Sequence, residues 1–151
     1  MSDITEDEAD LFASTDRKVT QTTLELCAEF LDAVPTLTDS ELHAKTARFG
    51  VSNPAQVVHD WRISGKIFAV THGGRDLFPA FQFGEDGQPL PVISELLAIL
   101  NRDPHRTDWD NALWFAGDTG WLDGRRPLDC MLSDRPRVRQ AAEQEILRDA
   151  E

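Results

Sequence analysis

The chain has 151 residues, of which 40% are hydrophobic and 28% charged, enough for one ordinary soluble domain or two very small ones. No apolar run approaches the roughly 18 to 20 residues of a membrane helix, and the acidic start does not read as a signal peptide. Two cysteines, Cys27 and Cys130, are too few for a disulfide scaffold or a cysteine zinc site and read as reduced, buried thiols of a cytoplasmic protein. The formal net charge of −12 argues against a nonspecific nucleic-acid binder, because phosphate rewards positive charge. The charge is uneven, however. Residues 40–75 hold Lys45, Arg48, Arg62, Lys66 and Arg75 against only Glu41 and Asp60, a local balance of +3 that leaves −15 on the rest. For a DNA-reading face local charge matters more than the total.

Residues 1–18 carry six acidic side chains before any basic one and little apolar content, which predicts a disordered acidic tail. A helix is predicted over 19–33, with Leu24, Cys27, Ala28, Leu31 and Val34 along one face and Pro35 as its stop. Thr38-Asp39-Ser40-Glu41 is a capping box. It opens a helix with Leu42, Ala44 and Ala47 on its apolar side that ends near Phe49-Gly50. Ser52-Asn53-Pro54 starts a second helix, faced by Val57, Val58 and Trp61 and stopped by Gly65. Two short helices joined by a tight turn form a helix-turn-helix pattern.

A strand is predicted over 66–70. The turn Thr71-His72-Gly73-Gly74-Arg75 follows, and a return strand over 76–83 puts Phe81 and Phe83 on one face and Pro79 at a sheet edge or bulge. Helix, turn, helix, hairpin is the order of a winged helix. The candidate DNA-contacting set is Lys45, Arg48, His59, Arg62 and Lys66, with Arg75 at the hairpin tip where a wing meets phosphate or the minor groove.

Gly84-Glu85-Asp86-Gly87 reads as a turn-rich linker, giving three expected regions: 1–18, 19–86 and 87–151. The last is expected to be all helical. Ile93, Leu96, Leu97 and Leu100 mark a helix over 92–101, and Asp103-Pro104 breaks it. Asp108 is expected to cap the next helix, with Trp109, Ala112, Leu113 and Phe115 on its face. A turn over 117–120 and a short helix from Pro127 follow. Ser133 or Asp134 caps a final helix over 136–150, faced by Val138, Ala142, Glu145 and Ile146. The fold class is therefore mainly α with one small β-hairpin: a winged helix-turn-helix module, then a small helical module.

Enzymatic chemistry has little support. His43, His59, His72 and His105 lack metal-ligand spacing, His72-Gly73-Gly74 lacks the strand–helix context of a phosphate loop, and no cofactor is implied.

The run Trp109-Asp110-Asn111-Ala112-Leu113-Trp114-Phe115, then Gly120-Trp121-Leu122-Asp123-Gly124-Arg125-Arg126-Pro127-Leu128-Asp129, then a last helix with Val138 and Ala141-Ala142, resembles the C-terminal toxin-binding domain of Xre/MbcA/ParS-type antitoxins over residues 90–150. Members of that family carry an Xre-type DNA-binding domain ahead of this module. Here Trp61-Arg62-Ile63-Ser64-Gly65-Lys66, leading into the hairpin, looks instead like a MerR-style or winged helix-turn-helix. The resemblance implies an antitoxin of a type II toxin–antitoxin pair that occludes a RES-type, NAD-consuming toxin and represses its own operon by binding operator DNA. Trp121, Asp123, Arg125, Arg126 and Arg137 form the candidate partner-binding set, tryptophan and arginine being the residue types most enriched at interface hot spots. Trp109, Trp114 and Leu122 read as core. Two other readings stand beside this one: a stand-alone regulator whose C-terminal helices dimerise, and an interaction module without DNA contact. Homodimers and hetero-oligomers are both open.

Overall fold

The computed structural model describes residues 23–150. The chain divides into two compact units, one ending at Ala33 and the other beginning at Val34. The expected acidic tail and the first residues of the expected opening helix lie outside the described residues. Of the first unit, helix α1 is described over 23–33. Of the expected face, Cys27 is buried, as is Val34 just past the helix, while Leu24 and Ala28 are exposed; Phe30, outside that face, is buried as well.

The second unit is mainly helical around a small antiparallel sheet, the expected fold class. Its elements are β1 (Thr36–Thr38), α2 (Asp39–Arg48), α3 (Pro54–Ile63), β2 (Val70–His72), β3 (Arg75–Pro79), a 3₁₀ turn (Ala80–Gln82), α4 (Pro91–Leu100), α5 (Asp108–Ala116), a 3₁₀ turn (Gly120–Leu122), α6 (Pro127–Cys130) and α7 (Arg135–Ala150). Among the described residues no helix is long and apolar enough to cross a membrane.

The Thr38 capping box closes as its sequence requires. Thr38 Oγ1 accepts from the Glu41 amide at 3.2 Å, and Glu41 Oε1 accepts from the Thr38 amide at 2.9 Å. Along α2 the buried positions are Leu42 and Thr46, with Ala44 and Ala47 outside. Thr46 can be buried because its hydroxyl donates to the Leu42 carbonyl one turn back, at 2.7 Å. Pro54 opens α3 as expected, and Val58 and Trp61 face inward. A core of Leu42, Val58, Trp61, Ile67, Ala69, Phe78 and Phe83 joins the two helices to the sheet.

The sheet departs from a simple hairpin. Its order is β1-β3-β2, both pairings antiparallel, with Leu37 opposite Phe78 and Thr71 opposite Asp76. β3 is therefore the central strand, and Pro79 sits at its last position, opposite Thr36, rather than on a sheet edge. A proline costs least there, where the ladder is already ending. The turn is as expected: Gly73 and Gly74 have φ of 59° and 77°, the left-handed pair a two-residue turn between His72 and Arg75 requires.

The strand expected over 66–70 begins only at Val70. Ile67, Phe68 and Ala69 are all buried without a strand beside them. Their backbone is met instead by the side chain of Gln82, which is 0% exposed. Gln82 Oε1 accepts from the Phe68 amide at 2.7 Å, and Nε2 donates to the carbonyls of Phe68 (2.9 Å) and Pro79 (3.0 Å). The 3₁₀ turn that aims Gln82 also separates Phe81 and Phe83, expected on one face. Phe83 packs at 6.2 Å from Trp61, whereas Phe81 lies 5.1 Å from Phe115 of α5.

Residues 84–87 form a hydrogen-bonded turn, in keeping with the turn-rich composition. The Gly87 amide donates to the Gly84 carbonyl, and Phe83 bridges to Pro89. The expected halves on either side of it share an aromatic cluster, with Phe68 stacked on Phe115 at 5.8 Å. α4 buries the expected Ile93, Leu96, Leu97 and Leu100, with Val92 and Ile99 besides. It packs along α7, which contributes Val138, Ala141 and Ala142. Glu95 of α4 pairs with Arg135 and Arg139 of α7. Thr107, not Asp108, caps α5, in a second reciprocal box with Asp110. Threonine wins because its position puts an acidic residue at the third helical place, which Asp108 lacks.

Replacing Gln82 with leucine keeps the volume but leaves three buried backbone groups without their partner. Gln82→Leu is expected to cost about 2–4 kcal/mol in urea unfolding. A loss below about 1 kcal/mol would show that those groups find other partners.

Candidate nucleic-acid interface

α3 and the β2–β3 hairpin meet through an ion pair. Arg62, in the last turn of α3, donates from Nη1 to Asp76 Oδ2 at 2.8 Å, and its guanidinium lies 5.8 Å from the Phe78 ring centroid. Asp76 also accepts from Thr71 Oγ1 at 3.1 Å across the strands. The Arg62 hydrogen bond holds the Asp76 carboxyl below the usual aspartate range. Of the expected DNA-contacting set, Arg62 is therefore tied into the protein, half of its job being to join helix and hairpin. Arg75 stands exposed immediately after the Gly73-Gly74 turn, next to Asp76. His59 is exposed along α3, and Lys66 is exposed just past its end.

The exposed part of α3 also holds side chains that charge counting passes over. Gln56 Nε2 donates to Asp60 Oδ1 at 2.9 Å, one turn apart, and Ile63 is 71% exposed. Lys45 and Arg48 form a different group. They line a groove of about 530 Å³ on α2 with Leu37, Glu41 and Phe49, and Lys45 Nζ lies 5.6 Å from the Phe83 ring centroid. Lys45 thus spends its charge partly on an aromatic face.

The hairpin has a further anchor. Trp109, expected in the core, is only half-buried and donates from Nε1 to the Thr71 carbonyl at 3.0 Å. This contact spans 38 residues of sequence and carries no local signal.

The expected partner-binding set lies at the other end of the helical region. Trp114 and Leu122 are buried as expected, while Trp121 is 54% exposed. Arg137 of α7 donates to Asp123 Oδ2 at 3.0 Å and to the Trp121 carbonyl at 3.1 Å, and so holds this turn against the helix. Asp123 takes a left-handed φ of 57°, and the Arg137 hydrogen bond keeps its carboxyl low. Arg125 donates from Nε to the Leu122 carbonyl at 3.0 Å. Arg126 grips both carboxyl oxygens of Asp129, at 2.7 and 3.1 Å. Trp121, Asp123, Arg125 and Arg137 therefore gather around one turn, and Arg126 belongs to the start of α6.

A second concavity, of about 600 Å³, is lined by Arg106, Asp110, Trp114 and Glu145 among others. Arg106 is committed there to structure: it donates to Asn111 Oδ1 at 2.8 Å and to the Asp110 carbonyl at 3.1 Å, with Glu145 at 3.8 Å. Among the described residues no cluster of histidine, cysteine and carboxylate side chains could hold a metal ion.

No protein-family model matches the chain, and no curated protein matches it. Among solved structures it is similar to the NMR structure of Rv2175c, with a TM-score of 0.61 and 22% identity over 74% of this chain and 81% of that one. That likeness establishes a shared fold.

The low Asp76 pKa sets the direction of a pH effect. A carboxyl held below its unfolded value stabilises the fold at neutral pH and loses that contribution as pH falls through its folded value. Asp76→Asn is expected to lower stability modestly at pH 7, by about 0.2–1 kcal/mol, and the deficit is expected to shrink as pH falls below the unfolded aspartate value of about 3.9. Urea midpoints of both proteins across that pH range check it. An equal deficit at both ends would remove the ion pair as the cause.

Proposed function

We propose that this chain is a DNA-binding protein of the winged helix-turn-helix kind, with α3 as the helix that enters the major groove and the Gly73-Gly74 turn as the wing beside it. The observation that carries the reading is the Arg62–Asp76 pair, which ties the end of the exposed helix to the hairpin as one helix–hairpin body. A recognition helix and a wing must keep a fixed spacing to sit on one duplex together. The basic side chains on and beside that body suit phosphate contact: Lys66 after the helix and Arg75 at the turn. Gln56 and His59 lie on its exposed helical part and are of types that bond to base edges. With a chain of net charge −12, this basic region carries the attraction alone, so affinity depends steeply on which face meets the duplex.

A protein partner is the second part of the reading, and the exposed Trp121 beside Arg125 favours it. A large indole left 54% exposed, on a turn braced from behind by Arg137, has the makings of a hot spot. By the resemblance described above, that partner is a RES-type toxin consuming NAD, and the chain is its antitoxin and the repressor of their operon.

Fluorescence anisotropy with a random-sequence duplex tests the first part. Binding is expected to weaken with salt, and Lys66→Ala and Arg75→Ala are each expected to reduce the slope of log affinity against log salt by about 1. A wild-type chain without salt-dependent affinity overturns the reading. For the partner, Trp121→Ala and Arg125→Glu are expected to abolish protection of cells expressing the toxin while leaving the thermal midpoint within about 3 °C. Full protection by both variants would move the interface elsewhere.

A further inference from the structure

We infer that Trp109 is a positioning residue for the wing: α5 fixes the hairpin through the indole N–H, so the helical region sets how the wing meets DNA. This inference rests on the DNA-binding reading above.

The argument starts with the sheet order. β2 is an edge strand, paired on one side only, with β3. Backbone groups on its other edge have no strand to bond. Thr71 lies in the middle of that strand, one residue short of the turn, and its carbonyl takes the Trp109 N–H at 3.0 Å. The same residue continues the chain of contacts through its side chain, since Thr71 Oγ1 donates to Asp76 Oδ1 at 3.1 Å and Asp76 Oδ2 receives Arg62 at 2.8 Å. Three hydrogen bonds thus run from α5, across both strands of the hairpin, to the end of α3.

α5 is well placed to act as the fixed end. Its first turn is set by the Thr107–Asp110 box, and Trp109 sits within that turn. Six residues further on, Phe115 is buried and packs against Phe68 and Phe81 at the base of the hairpin. Phe115 therefore holds the hairpin near its root and Trp109 holds it near its tip. Without the Trp109 contact, the hairpin beyond its root would be held to a helix only through the half-exposed Arg62–Asp76 pair, and would pay a larger ordering cost on meeting phosphate. With the Trp109 contact that order exists before binding, and Arg75 arrives already placed.

The test is a double-mutant cycle on the full chain, using one duplex recovered by selection from a randomised pool with the wild-type protein. Trp109→Phe keeps an aromatic ring and removes the N–H together with the second ring of the indole. It is expected to weaken binding about fivefold, with Arg75→Ala having an effect of similar size. Combined, the two are expected to weaken binding little more than either alone, because an unplaced Arg75 has little left to lose. Lys66→Ala, outside the hairpin, is expected to add its full effect to Trp109→Phe. That contrast separates wing positioning from general destabilisation, which would leave both pairs additive. If Arg75→Ala costs as much in Trp109→Phe as in the wild type, the inference is overturned. Amide hydrogen exchange at residues 73–76 supplies a readout free of DNA. Exchange there is expected to accelerate several-fold in Trp109→Phe while exchange in α4 stays unchanged. Unaltered exchange at the tip overturns the inference even where binding is affected, and a wild type that selects no duplex overturns the DNA-binding reading instead.

Discussion

Residues 67–69 run through the core with apolar side chains on every side, and their backbone has no neighbouring strand to bond. The Gln82 amide meets it, and the position of most other parts follows from that substitution. A primary amide presents one acceptor and two donors in a plane, the same complement that a passing strand would offer. By taking Phe68 on both its N–H and C=O, Gln82 fixes where the segment after α3 lies and therefore where β2 begins. By also taking the Pro79 carbonyl it fixes where β3 ends. The hairpin thus leaves the core at a set place and angle, and Phe68 is left facing Phe81 and Phe115. A buried polar network of this kind is either fully satisfied or costly. Here, among the described residues, no buried side-chain polar atom lacks a partner.

From that centre the structure is held by short-range closures on one side and long-range ones on the other. Each of the helices α2 and α5 is started by a threonine and an acidic residue three places on, a device that needs only four residues of sequence. The tight turn needs only Gly73 and Gly74. What joins these pieces is not local. Arg62 reaches Asp76, Trp109 reaches Thr71, and Arg137 reaches the turn at Trp121 and Asp123. Each long-range bond ties a helix to an exposed turn, and both candidate surfaces of the molecule are built on such tied turns.

This division explains how far the sequence can be read. Caps, prolines and the glycine pair announce the elements they start or stop, and the mainly helical class with its hairpin follows from them. β1 carries no clear signal because three residues, Thr36 to Thr38, are too few to establish a period, and their partner strand lies some 40 residues on. The run Ile67-Phe68-Ala69 has strand-like composition, and only the amide of a residue 14 positions away makes it something else. Burial on α1 and α2 is only partly legible for a related reason. Spacing identifies a stripe but not which of two adjoining stripes the neighbours cover, so Cys27 and Leu42 are buried as their spacing predicts, but Phe30 and Thr46 accompany them in place of Leu24 and Ala44. In the site, residue type pointed to arginine and lysine, and the structure adds their counterparts. Asp76 redefines Arg62 as a strut, Asp129 engages Arg126, and Phe83 shares Lys45. None of these partners stands out in the sequence, since an acidic or aromatic residue at such distances is common.

The four tryptophans occupy three distinct grades of environment. Trp61 and Trp114 are enclosed, Trp109 is half-covered with its N–H engaged, and Trp121 faces solvent. The chain contains no tyrosine. Excited beyond the phenylalanine absorption, its emission is therefore entirely indole, and it comes from sites whose colours differ with their contact with water. Light collected from the red edge reports on the turn at Trp121, and light from the blue edge on the interior. The molecule carries its own optical reporters at the hairpin anchor, at the exposed turn and in the core, and events at each can be followed without attaching a dye.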